Sequence, residues 1–127
     1  MLLAIDLQSE TPIYTQISEA VIEGIAKGQL QKGEALPSVR TLAVDLGVNL
    51  HTVNKAYQLL KQGGYVQINR KQGVIIEPNA FPIADEAFKQ RLWDRLKPAV
   101  AEGVCRGVKR EEMMILLDEI YRDLNKM

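Results

Sequence analysis

Two short amphipathic segments separated by only three residues restrict this chain more than any other feature. Residues 38–46 put Val39, Leu42, Ala43 and Leu46 on one helical face, with Ser38 as a candidate N-cap and Gly47 as a left-handed C-cap. Gly47-Val48-Asn49 leads straight into a second pattern, in which Val53, Ala56, Tyr57 and Leu60 recur at i, i+3, i+4, i+7. Asn49 can cap that helix, and Gly63-Gly64 ends it. Two helices joined this tightly form a helix-turn-helix.

The flanking segments extend the pattern. Thr11 offers a hydroxyl cap with Pro12 at the first helical position, where its missing N–H costs nothing. Ile13, Ile17, Val21 and Ile25 then make one apolar stripe that should stop near Gly28, with residues 1–10 as an arm before it. On the other side, Tyr65-Val66-Gln67-Ile68 and Val74-Ile75-Ile76 are β-prone runs around a polar, basic tip, Asn69 to Gly73. The expected fold is therefore mainly α with a small β-hairpin, a winged helix-turn-helix domain over residues 1–78.

Pro78, Asn79 and Pro82 read as a linker to a helical unit over residues 79–127. There Phe88, Leu92, Leu96 and Val100 fall on a four-residue step, with Pro98 expected to kink or split the helix. Gly107 breaks it, and Arg110 restarts a helix whose first turn carries Glu111-Glu112 and whose apolar face holds Met113, Leu116, Leu117, Ile120 and Leu124.

Charge places the chemistry in the middle of the chain. The formal net charge is zero. Between Leu36 and Val74, however, five basic residues (Arg40, Lys55, Lys61, Arg70, Lys71) stand against the single acid Asp45. With Val53, Ala56, Tyr57 and Leu60 turned inward, the second helix of the motif presents His51, Lys55, Gln58 and Gln62, flanked by Thr52 and Asn54. All can hydrogen-bond and none is an acid. Asn and Gln match adenine edges and Lys matches guanine or phosphate, so the face suits a DNA major groove. An ordinary solvated helix face would be equally polar, but Arg40 in the first turn of the preceding helix and Arg70-Lys71 at the hairpin tip add cations on two further elements.

The stretch LPSVRTLAVDLGVNLHTVNKAYQLLKQGGYV, Leu36 to Val66, resembles the GntR family of bacterial transcriptional repressors. The likeness lies in the Leu-Pro-Ser-x-Arg start, Leu-Gly-Val at the turn and Thr-Val in the following helix, and it extends over roughly residues 11–77. It implies that Ser38, Arg40, Asn49, His51, Thr52 and the wing near Gly73 contact operator DNA. Many relatives carry arginines where this chain has Leu50 and Asn54, so their guanine contact does not transfer. The Asn49 to Tyr57 string and the short helical tail with Gly-Val-Lys-Arg-Glu-Glu are similar to the YtrA subfamily, which implies a dimerisation tail and control of transporter genes.

The tail leads to a dimer on its own physics. Its 49 residues are too few to enclose their own apolar surface, and a second copy is the simplest cover. Phe88, Leu92, Trp93, Leu96, Met113, Leu117, Ile120 and Leu124 are the interface candidates; packing of the stripe on the winged domain is the alternative. A twofold would set the two reading helices about 34 Å apart on a palindrome.

Other classes find little support. Cys105 is the single cysteine and His51 the single histidine, so no disulfide framework or metal-ligand cluster arises, and no cofactor is expected. Nucleotide-binding glycine patterns and hydrolase signatures are missing, so no catalysis is expected. No apolar run approaches the roughly 20 residues of a membrane span. The start Met1-Leu-Leu-Ala-Ile-Asp6 lacks the basic segment of a secretory leader, which points to the cytoplasm. The expected partners are double-stranded operator DNA, a second copy, and an unidentified small-molecule effector that relieves repression. A winged-helix protein-interaction module without operator binding is the competing reading, supported by the zero net charge and the apolar tail.

Overall fold

The computed structural model describes residues 4–125 and divides them into two compact units, one ending at Pro82 and one beginning at Ile83. The first contains α1 (Ile13–Ala26), α2 (Val39–Leu46), α3 (Leu50–Gln62) and the antiparallel strands β1 (Val66–Asn69) and β2 (Gly73–Ile76). The second contains α4 (Glu86–Cys105) and α5 (Arg110–Leu124). This is the mainly helical, winged helix-turn-helix architecture expected from the sequence.

Ile17 and Val21 from α1, Leu42 and Ala43 from α2, and Val53, Ala56, Tyr57 and Leu60 from α3 bury themselves in one cluster with Val66, Val74 and Ile76 of the hairpin. Each helix contributes the stripe its periodicity marks. The caps of the central motif are local and follow directly from the residues: Thr41 N–H donates to Ser38 Oγ at 3.1 Å, and His51 N–H donates to Asn49 Oδ1 at 2.7 Å.

Gly47 ends α2 with φ +68°, which directs the chain from α2 into α3. A Cβ there would meet no atom within 4 Å, so any cost of a side chain arises in the backbone alone. Gly47→Ala is expected to lower stability by about 1–2 kcal/mol, with Gly47→Asn milder because Asn tolerates the left-handed region better. Thermal melts of the two variants check this.

Of the local expectations, one needs correction and one is narrowed, and one pairing is new. Thr11 does not cap α1: Pro12 is the N-cap residue, and no side chain bonds to the helix start there. Thr11 instead offers its carbonyl to Gln16 Nε2 at 2.9 Å, while Gln16 Oε1 accepts from Asp6 N–H at 2.8 Å and its Nε2 also donates to Asp6 O. The described part of the N-terminal arm is thus fastened to α1, with Ile5 packed against the core. The hairpin also has an unforeseen neighbour. Leu36 N–H donates to Val74 O, Ile76 N–H to Glu34 O and Gly33 N–H to Ile76 O, with an Ala35–Ile75 bridge. Residues 33–36 therefore cover the edge of β2 opposite β1, which explains why Val74, Ile75 and Ile76 are all buried. Finally, α4 is not split at Pro98 but remains one helix to Cys105. The surrounding residues are exposed, so the Asp94 carbonyl that loses its partner can be hydrated.

The first unit runs four residues past the sequence boundary at 78, because Phe81 lies 6.1 Å from the Tyr65 ring centroid and joins the core margin. In the second unit, Asp85 Oδ1 accepts from Phe88 N–H at the start of α4, and Glu112 Oε1 accepts from Lys109 N–H at the start of α5. The two helices meet at a corner where a Cβ on Gly103 would come within 2.9 Å of Met113 Cε. Neither helix contains a buried residue.

Candidate nucleic-acid interface

The residues proposed for DNA lie on three elements of the first unit. Ser38 and Arg40 open α2; Asn49 caps α3, whose first turns carry His51, Thr52 and Asn54; Arg70, Lys71 and Gly73 form the hairpin tip. All are exposed except Thr52, which is half-buried. Packing of Val53, Ala56, Tyr57 and Leu60 against α1 and α2 fixes the rotation of α3, and so dictates that His51, Asn54, Gln58 and Gln62 face water.

Position along the fold is set by a second layer of bonds. The Tyr57 hydroxyl, on the buried side of α3, donates to Pro37 O at 2.7 Å and thereby tethers the segment that introduces Ser38. Burial pushes the Tyr57 phenol well above its ordinary value of 10. At the wing, Asn69 Oδ1 accepts from Gln72 N–H at 2.6 Å and Asn69 Nδ2 donates to Gln72 Oε1 at 3.2 Å, while Gly73 closes the turn at φ +70°. The tip is braced and its two cations project from it.

The electrostatics favour an anion. α3 has no acidic residue in its length. Arg40, Arg70 and Lys71 make no ion pair among the described residues, so their charge is not neutralised by a carboxylate. Lys55 is exposed, and its Nζ sits 4.0 Å from the centroid of the Tyr14 ring on α1. That cation–π contact turns the ammonium toward α1 and leaves it as a source of positive potential beside the solvent-facing side chains of α3. Tyr14 was missed from the sequence, since nothing local connects residues 14 and 55.

The tail candidates divide by exposure. Leu92, Trp93, Leu96, Leu117 and Ile120 are open to solvent, whereas Phe88, Met113 and Leu124 are half-buried. Val104 and Tyr121 are also exposed, and Val104 lines a shallow hollow with Val100, Met113 and Met114. Among the described residues no group of His, Cys, Asp and Glu could hold a metal ion, and no helix is long and apolar enough to cross a membrane.

Comparison with known proteins agrees with this geometry. The family described as "Bacterial regulatory proteins, gntR family" matches residues 13–76. The HTH-type transcriptional repressor YtrA of Bacillus subtilis strain 168 is 34% identical over 123 residues, spanning 97% of this chain and 95% of that one. A transcriptional antiterminator from Listeria monocytogenes EGD-e superposes with a TM-score of 0.91 at 31% identity, over 100% of this chain and 95% of the other. YtrA from Sulfolobus acidocaldarius, a GntR-family transcription factor, does so with a TM-score of 0.62 at 40% identity, over 80% and 99%. With its winged helix-turn-helix, its acid-free α3 and relatives matched along nearly their whole length, the chain belongs to the gntR family of DNA-binding bacterial transcriptional regulators.

Proposed function

We propose that this regulator is a cytoplasmic, homodimeric repressor of a palindromic operator, controlling a transporter operon. The observation that carries the DNA reading is the acid-free, solvent-facing side of α3 set beside an unpaired Arg40 in the first turn of α2. In this reading Ser38 and Arg40 hold a phosphate, Asn49, His51, Thr52, Asn54 and Gln58 face base edges, and Arg70, Lys71 and Gly73 follow the backbone or the adjacent minor groove. Lys55 adds charge from its seat on Tyr14.

The homodimer rests on the tail. A pair of helices without one buried residue has no interior of its own, and a second copy supplies one by symmetry. Repression is supported by the name of the Bacillus subtilis relative, and transporter control by the resemblance of the Asn49 to Tyr57 string and tail to the YtrA subfamily. A small-molecule effector would relieve repression by binding one of two dimer states more tightly than the other.

Arg40→Ala is the direct test. Loss of one charge-assisted phosphate contact is expected to weaken operator binding by about ten- to a hundredfold, across sequences alike. The slope of log affinity against log salt should also become shallower by about 0.9. Equal affinity of the wild-type chain for a selected palindrome and a random duplex, or affinity indifferent to salt, would falsify the reading.

A further inference from the structure

Part of the proposed DNA face has the wrong polarity for phosphates and for most base edges. An open hollow at the corner of the helix-turn-helix is lined by Arg40, Ala43, Val44, Gly47, Val48 and Leu50. Val44 is 80% exposed and Leu50 39% exposed, so two large aliphatic side chains stand in water beside a cation with no carboxylate partner.

We propose that this hollow reads thymine methyl groups, with Leu50 as the reading side chain. The inference rests on the operator-binding function proposed above and deepens it. The major groove presents one aliphatic group, the C5-methyl of thymine, and every other edge rewards a hydrogen-bonding side chain. Leu50 is the first residue of α3, directly after the Asn49 cap and in the same turns as His51 and Asn54. The N-terminal residues of a recognition helix are the ones that approach base edges. Arg40 in the wall of the same hollow commits it to a polyanion rather than an apolar peptide: a phosphate on the guanidinium brings the neighbouring base edge over Leu50, while Val44 and Val48 exclude water from the methyl. Specificity at this position then comes from buried aliphatic surface, with no donor or acceptor involved.

The test begins with the tightest duplex that the wild-type chain selects from a randomised pool. Thymines in it are replaced one at a time by deoxyuridine, which keeps the pairing edge and removes the methyl. At one or two positions in each half-site, affinity is expected to fall about three- to fivefold, the worth of one buried methyl group. Leu50→Ala should bind the unmodified duplex more weakly and lose that discrimination, while Leu50→Met retains it; unchanged circular dichroism shows both variants folded. Sequence-specific binding that ignores every uridine overturns the proposal and leaves the operator reading standing. So does a uridine effect that Leu50→Ala leaves intact, which assigns the methyl contact to another side chain. Loss of the dimer in Leu50→Ala, seen by light scattering, would place a second copy on the hollow and overturn it too. If no duplex is preferred at all, both readings fall.

Discussion

Glutamate at both Leu96 and Ile120 is expected to leave the protein monomeric at concentrations where the parent is a dimer, and to reduce affinity for a palindromic operator by at least about a hundredfold. Leu96 is 46% exposed on α4 and Ile120 54% exposed on α5, so the substitutions disturb no interior of the isolated chain. In a twofold assembly each carboxylate appears twice, and each must be stripped of water to enter an apolar contact. The loss on DNA follows from the link between heads: once one winged unit is bound, its partner is held at an effective concentration that raises avidity by about 10²–10⁴. The winged unit keeps its own core, so half-site binding at high protein concentration should survive. Light scattering gives the mass, and Trp93, the sole tryptophan and 60% exposed, gives a second readout through a red-shifted emission in the monomer. A doubly charged chain that remains dimeric would show that the copies meet elsewhere.

Tyr57→Ala is the other large effect, costing about 3–5 kcal/mol by removal of a fully buried ring from the centre of the first unit. Tyr57→Phe isolates the hydroxyl: it keeps the ring, deletes the 2.7 Å bond to Pro37 O and leaves that carbonyl short of a partner, for about 1–3 kcal/mol. The two variants also differ from the parent in alkali. Burial raises the phenol in the folded state above its value of 10 in the unfolded chain, so the fold prefers the neutral form. That contribution is complete below pH 10 and disappears progressively as pH climbs beyond it. The gap between parent and Tyr57→Phe should therefore narrow above pH 10. Denaturation followed by far-ultraviolet circular dichroism at pH 8 and pH 11 checks the sign, and a gap that widens would mean the buried phenol is not the group responsible.

What could be read from the residues was whatever depends on near neighbours. Ser38 and Asn49 cap because each side chain reaches an N–H two or three residues ahead, and Gly47 turns because only its own φ matters. The faces of α1, α2 and α3 followed from spacing alone. Thr11 is not the cap because the helix begins one residue later, with Pro12 at the N-cap, while Gln16 ties the Thr11 carbonyl and both backbone groups of Asp6 to α1 from five and ten residues away. The strand-like pairing of residues 33–36 has no alternation to betray it, only carbonyls and N–H groups of ordinary residues laid against β2. Lys55 was assigned by helix rotation, and its long stem let the ammonium leave that direction for the ring of Tyr14. The hollow around Leu50 was hidden for a related reason: Val44 and Leu50 belong to different helices, and their meeting depends on the corner between them.

In the proposed homodimer, a tail with no interior of its own makes chain abundance a control parameter. Where folding of α4 and α5 is completed only by pairing, the concentration of functional clamps rises with the square of the number of chains until pairing saturates. For the proposed dimeric repressor, occupancy of a two-headed site then responds to expression level as a threshold, so a modest increase in dosage takes it from largely empty to largely filled.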